Sequence, residues 1–286
     1  MTLREHIEQA LAKKVAIGHF NVSTLDGVWA VADAAHALKV PVIIGVSEGE
    51  RDYVGVNEIS AVVKSIREHR GQAIFLNADH TYSFERVKEA IDAGFDSVIF
   101  DGAQLSFEEN VSIAKKCVEY ARASGRDVIV EGELGFIGTS SKLLDAIPTG
   151  AVVGAENMTK PEVALQFVKE TGIDMLAPAV GNIHGLVRGG EPALNIERVQ
   201  EISSVTHIPL VLHGASGNTA SDIQGCIKAG VAIVHVNTEL RVAYRSGLIK
   251  TLSENPDEVA PYKYLKGGKH AMQDVVEAKL KIVNFL

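Results

Sequence analysis

"AIFLNADHTYSFERVKEAIDAGFDSVIF", residues 73–100, decides the architecture. It opens on an apolar run (73–78), passes into the helical pattern "FERVKEAIDAG", stops on Gly94 as a helix should, and closes on a second apolar run, "DSVIF" (96–100). That is one strand, one helix and one more strand. Working outward, the same unit recurs along the chain: "VAIGHF" (15–20), "VPVIIGV" (40–46), "DVIVEGEL" (127–134), "DMLAPAV" (174–180), "IPLVLHG" (208–214) and "VAIVHVN" (231–237) complete eight strand candidates. Continuous apolar runs suit strands covered on both faces, as in a parallel sheet flanked by helices. Eight βα units in this length predict an α/β protein, a (β/α)8 TIM barrel. A short N-terminal helix (2–13) precedes it, and the C-terminal extension reads as a loop and then a helix from about Lys269. A doubly wound open sheet is the alternative, but it usually has fewer strands, and no phosphate fingerprint follows the first strand here.

Of the 286 residues, 46% are hydrophobic, enough for a sizeable core. No linker or composition shift divides them, so residues 1–286 read as one domain. The net charge of -8 and the lack of a basic cluster argue against nucleic acid as a partner. "MTLREHIEQALAKKVAIGHF" mixes charged and apolar residues at helical spacing, unlike a signal peptide or a membrane span, and no other stretch suggests a membrane partner. Cys117 and Cys226 fall in helix-like segments far apart, which predicts a reduced, cytoplasmic protein.

In such a barrel the active site forms at the C-terminal ends of the strands. Polar residues collect there: His19 and Asn21, Ser47 and Glu48, Asp79 and His80, Asp101, Glu131 and Glu133, Asn182 and His184, His213, then His235, Asn237 and Thr238. Asp79 alone could cap the next helix, and each histidine alone could be structural. Together, His80, His184 and His213 on converging strand ends predict a divalent-metal site. Zinc is the leading ion, cobalt, manganese and iron are alternatives, and Glu133 is an extra or exchanging ligand. "GNIHGLVRGG" and "LHGASGN" supply glycine-rich loops after strands six and seven, suited to an anion nest for phosphate. The bland reading of those glycines is tight turning alone.

Taken in order, "GHFNV", "ADH", "FDGAQLSFEEN", "VEGELGFIG", "GNIHG", "LHGASG" and "VNTEL" make the chain resemble the class II, metal-dependent ketose-bisphosphate aldolases, which include fructose-bisphosphate and tagatose-bisphosphate aldolases. The resemblance implies a lyase of carbohydrate metabolism, acting in glycolysis if its substrate is fructose 1,6-bisphosphate. His80, His184 and His213 would hold the metal, with Glu133 as the additional glutamate. Asp79 would be the acid/base for the C4 hydroxyl of the sugar. Gly185, Gly214, Ser216, Asn237 and Thr238 would cradle the phosphate nearest the ketone, with Asn21 and Ser47 also on the substrate. Arg241 matches an arginine that reaches the far phosphate from a neighbouring subunit, which implies a homodimer or homotetramer. A potassium or sodium ion near the phosphate loop is a family accessory.

The chain departs from the family at three places. Where an acidic pair commonly returns a proton to the three-carbon fragment, it has Ser140 and Ser141, leaving Asp145 as the candidate. His235 replaces a substrate-contacting asparagine, and Arg188 stands where lysine is frequent. The competing readings are a non-catalytic phosphosugar-binding protein, which would have no use for Asp79, and a metal-dependent hydrolase, which would need a water nucleophile and more carboxylate ligands.

Overall fold

The computed structural model describes residues 1–138, 141–151 and 154–286. Eight strands close into a parallel barrel: β1 (Ile17–Asn21), β2 (Val42–Val46), β3 (Ile74–Thr81), β4 (Ser97–Phe100), β5 (Ile129–Leu134), β6 (Met175–Pro178), β7 (Leu210–Leu212) and β8 (Val231–Val236). Each pairs with its sequence neighbours, and β1 pairs with β8 through His19 opposite His235. The expected barrel is therefore present, and the open sheet is ruled out by closure.

Helices follow the strands in turn: α2 (Leu25–Leu38) after β1, α3 (Glu48–Val54) and α4 (Val56–Arg70) after β2, α5 (Phe84–Asp92) after β3, and α6 (Phe107–Ala123) after β4. The second half continues with α7 (Pro161–Thr171), α8 (Ile196–Thr206), α9 (Ala220–Ala229) and α10 (Thr238–Glu254). In front lies α1 (Leu3–Lys13), which Thr2 and Glu5 start with a reciprocal capping box. Its buried stripe, Leu3, Ile7 and Ala10, packs on Ile17, Ile43, Phe75, Ile129, Met175, Val211 and Ile233, so α1 plugs the N-terminal mouth of the barrel. A larger apolar layer between sheet and helices forms the second core.

The inward-facing positions then change chemistry along each strand. Two residues beyond that apolar layer come His19, Gly45, Asn77, Glu131, His213 and His235, all buried. Gly45 is needed there, because a Cβ would lie 2.0 Å from the His19 ring. A polar interior at this height is costly unless its groups are paired, which marks it as the floor of a site.

The C-terminal helix α11 spans Pro261–Asn284, so it starts a full two turns before the expected Lys269. The residues before Lys269, Gly267 and Gly268 among them, were expected to be loop. These two glycines are instead the place where α10 and α11 touch: a Cβ on Gly267 would lie 1.7 Å from Thr251 Oγ1, and one on Gly247 would lie 2.3 Å from the Gly267 carbonyl. Among the described residues no helix is long and apolar enough to cross a membrane, and Cys117 and Cys226 are both buried free thiols.

Candidate active site

Asp79 and His80 are sequence neighbours on a strand, so regular pleating would point them to opposite faces. The ladder prevents this. β3 pairs with β4 through Ala78 opposite Val98 and then Thr81 opposite Phe100, three steps against two, which is a bulge containing Asp79 and His80. His80 takes a positive φ of 34°, rare for a residue with a side chain. Both side chains thereby open into one cavity of about 230 Å³ at the C-terminal mouth.

His184 follows β6 and His213 follows β7, and a nitrogen from each of His80, His184 and His213 lies within 4.8 Å of the others. Each ring has its other nitrogen tied. His80 Nδ1 pairs with Asp101 Oδ2 at 2.9 Å, His184 Nδ1 with the Gly138 carbonyl at 2.7 Å, and His213 Nε2 with Glu131 Oε1 at 2.8 Å. Outer partners of this kind orient metal-binding imidazoles and set which nitrogen faces the ion. The inward set is Nε2 of His80, Nε2 of His184 and Nδ1 of His213, with His80 Nε2 and His213 Nδ1 3.2 Å apart and in hydrogen-bond contact; three nitrogen donors around one point fit a divalent cation that would replace that contact. Burial lowers His184 to about 4, with His80 adding to the effect, and also lowers His213, so both are neutral, the form a metal requires. Burial alone would lower His80 too, but Asp79, Asp101 and Glu133 outweigh it and raise it well above the usual imidazole value.

Glu133 does not join this triad. It sits beside Asp101 on the far side of His80, with Oε2 3.5 Å from Nδ1. That oxygen has no hydrogen-bond partner among the described residues, and burial, reinforced by Asp101, pushes the group well above the usual carboxylate range.

Asp79 is 3% exposed. Its Oδ2 accepts from Asn21 Nδ2 at 2.8 Å, while Oδ1 has no hydrogen-bond partner among the described residues. Burial would raise its pKa, yet His80, His235 and His19 outweigh that and hold it well below the usual range. His235 Nδ1 lies 3.5 Å from Asp79 Oδ1, and its ring is stacked between His19 (centroids 3.4 Å, 4°) and His213 (4.0 Å, 21°). Burial, then His19, brings His235 down to about 3. His19, Asp79 and His235 form a second close group, but it does not suit an ion. Parallel rings direct their lone pairs into separate planes, and an ion about 2 Å from each nitrogen cannot lie in both.

Asn21, Ser47, Gly185, Gly214, Ser216, Asn237, Thr238 and Arg241 line the same cavity as Asp79, His80, His184, His213 and His235. Gly214 has φ +61° and no room for a Cβ, which would lie 2.1 Å from the Ile183 carbonyl; the loops after β6 and β7 touch there. Asn182 fastens the same two loops by donating to the His213 carbonyl at 3.0 Å. Thr238 begins α10, so the positive end of that helix faces the cavity beside Gly214 and Ser216. Arg241, expected to serve a neighbouring subunit, lines this chain's own cavity instead: its Nη2 donates to Glu50 Oε1 at 2.6 Å, and Glu50 Oε2 accepts from Asn21 at 2.8 Å.

After β5, Leu143–Leu144 pair with Leu186–Val187. Ser141 lines the cavity, and Ser140 lies outside the described residues. Asp145 is corrected as a proton source: its side chain is 93% exposed and paired with Arg188 at 3.1 Å, away from the cavity. Sequence reasoning gave no role to Asp101, Glu131 or Glu50. The first two carried the signal of a carboxylate at a strand end; Glu50 carried none.

The fructose-bisphosphate aldolase class-II family model matches residues 1–285. A fructose-bisphosphate aldolase of Geobacillus stearothermophilus is 38% identical over 284 residues, covering 98% of this chain and 96% of that protein. One from Staphylococcus aureus strain N315 is 37% identical with the same coverage. Among solved structures, the YdjI aldolase of Escherichia coli K12 superposes with a TM-score of 0.82 at 31% identity, covering 98% of this chain and 96% of that one. With this fold and this imidazole cluster, the chain belongs to the class II fructose-bisphosphate aldolase family and is a metal-dependent aldolase.

Proposed function

We propose that this aldolase reversibly cleaves fructose 1,6-bisphosphate to glycerone phosphate and glyceraldehyde 3-phosphate, using Zn2+ held by His80, His184 and His213. The observation that carries the reading is the division of labour at the β3 bulge. His80 offers Nε2 to the triad while Asp79 keeps one oxygen fixed by Asn21 and the other free. When bound, a divalent cation supplies Lewis-acid polarisation of the ketone oxygen and adjacent hydroxyl, drawing off the charge that develops at C3.

In cleavage, Asp79 Oδ1 takes the proton of the C4 hydroxyl. The C3–C4 bond breaks, its electron pair stays on C3, and C4 becomes the aldehyde carbonyl; C3 then takes up one proton, balancing the one lost from the C4 hydroxyl, to give glycerone phosphate. In condensation the same oxygen returns the proton. Gly185, Gly214, Ser216, Asn237 and Thr238 bind the phosphate nearest the ketone, aided by the helix α10 dipole. Ser47 and His235 complete the substrate wall, and Arg241 meets the far phosphate. Among the described residues lining the cavity, Arg241 is the one lysine or arginine, which supports a role in reading the second phosphate. A sodium or potassium ion accompanies the phosphate loop.

The proposal includes a single aldolase domain over residues 1–286 and a cytoplasmic homodimer or homotetramer. Exposed Ile249 and Leu252 on α10, with Val259 and Tyr262 nearby, support association. The relatives named as fructose-bisphosphate aldolases favour fructose over tagatose 1,6-bisphosphate. A coupled assay of triose phosphate release, on zinc-loaded protein with and without EDTA, tests this. Chelator-sensitive cleavage that favours the fructose sugar is expected; faster cleavage of tagatose 1,6-bisphosphate would reassign the substrate, and no cleavage of either would reject both.

A further inference from the structure

Arg51 is fully buried and, among the described residues, has no carboxylate partner. It sits on α3, in "EGERDYV", among residues that read as a solvated helix face. Its guanidinium reaches inward instead. Nη1 donates to the Val46 carbonyl at 2.7 Å and the Asp79 carbonyl at 3.2 Å, and Nη2 donates to Thr81 Oγ1 at 3.1 Å. Burying a guanidinium costs free energy that three hydrogen bonds to neutral oxygens only partly offset. The benefit is to be sought in what it holds.

The three acceptors lie at the end of β2 and on either side of His80. That is the segment where the β3–β4 register slips by one residue and where His80 adopts φ +34°. A bulge leaves backbone carbonyls without ladder partners, and a buried carbonyl without a partner is costly. Arg51 supplies the Asp79 carbonyl with a donor and ties Thr81, the first residue after the bulge, to the end of β2. With its rigid planar fork it can span Val46, Asp79 and Thr81 at once; a lysine ammonium cannot reproduce that geometry.

We propose that Arg51 is a positioning residue for the active site: it clamps the β3 bulge so that Asp79 and His80 face the cavity together. The inference rests on the reading of Asp79 as base and His80 as ligand. It extends that reading to a residue behind the barrel wall that touches neither metal nor substrate.

The test is Zn2+ affinity by chelator competition, together with kcat and KM for fructose 1,6-bisphosphate, on Arg51→Met, Arg51→Lys and Thr81→Val. Thermal midpoints are recorded alongside. Arg51→Met should weaken Zn2+ binding about 10–100-fold, the range typical for loss of an outer partner, and lower kcat with little change in KM. Arg51→Lys should restore part of both, and Thr81→Val, which removes one acceptor with little change in volume, should give a smaller loss of the same kind. If Arg51→Met does not fold, the other two variants decide. A lowered thermal midpoint with parental Zn2+ affinity and parental kcat would reduce Arg51 to a structural residue and overturn the proposal. Failure of the parent chain to bind Zn2+, or a His213→Ala variant that binds it normally, would instead reject the metal-site reading, and the Arg51 inference with it.

Discussion

At Asp79 the two carboxylate oxygens have different neighbours, and the difference sets the chemistry. Oδ2 is held by Asn21, so the group cannot rotate freely, while Oδ1 stays without a partner in a buried site. The histidines show a related logic, with the outer nitrogen held by a partner and the inner one turned toward the point the three rings share. Glu131 on His213 is the most enclosed of these outer partners. Replacing it with Leu should raise the Kd for Zn2+ about 10–100-fold, whereas Gln, which keeps an acceptor, should cost less; titration against a chelator measures both. Equal affinities for parent and Leu variant would show that Glu131 does not orient His213. The ligands and the base were legible in the sequence because they end apolar runs. Arg51 was not, because four of the seven residues of α3 are Glu, Arg or Asp, and only the three-dimensional bulge reveals what it holds.

The elements were legible wherever a period and a stop signal agreed. Eight apolar runs became eight barrel strands, and the helix ending before Gly94 stops as expected. The reading failed at α11, because Gly267 and Gly268 look like a stop when only local propensity is weighed. Tertiary contact reverses their meaning: the helices approach so closely that only glycine fits. Gly247→Ala on α10 puts the two effects in opposition. Helix propensity alone would stabilise by up to about 1 kcal/mol. A methyl group 2.3 Å from the Gly267 carbonyl forces the helices apart, and overpacking of this kind costs about 1–3 kcal/mol. Packing should win, lowering the melting temperature by several degrees at about 2–4 °C per kcal/mol, as read by calorimetry. A rise in melting temperature would show that propensity dominates there.

Across the whole molecule, one surface carboxylate joins three helices. Asp33 on α2 accepts from Arg70 of α4 at 2.8 Å and from Lys269 of α11 at 2.6 Å. Partial burial would raise its pKa, but the two cations outweigh this and hold it below the usual 3.8. A depressed folded pKa means that its contribution is fully present above the unfolded value and is lost as pH falls through the folded one. Asp33→Asn should therefore cost on the order of 1 kcal/mol at pH 7, discounted for solvent exposure. The gap to the parent should hold steady down to about pH 4 and close below it, as followed by urea unfolding. A gap that widened in acid would contradict the assignment. The site at the other end of the scale concentrates imidazoles and carboxylates in one barrel mouth, with base and ligand on consecutive residues. The most direct test compares Asp79→Ala with His213→Ala for Zn2+ stoichiometry and for cleavage of fructose 1,6-bisphosphate. Asp79→Ala should keep about one Zn2+ per chain and lose cleavage by a factor of about 100 or more, whereas His213→Ala should lose the metal. An Asp79→Ala protein that turns over like the parent, or one that loses its metal as His213→Ala does, would contradict the separation of base from ligand.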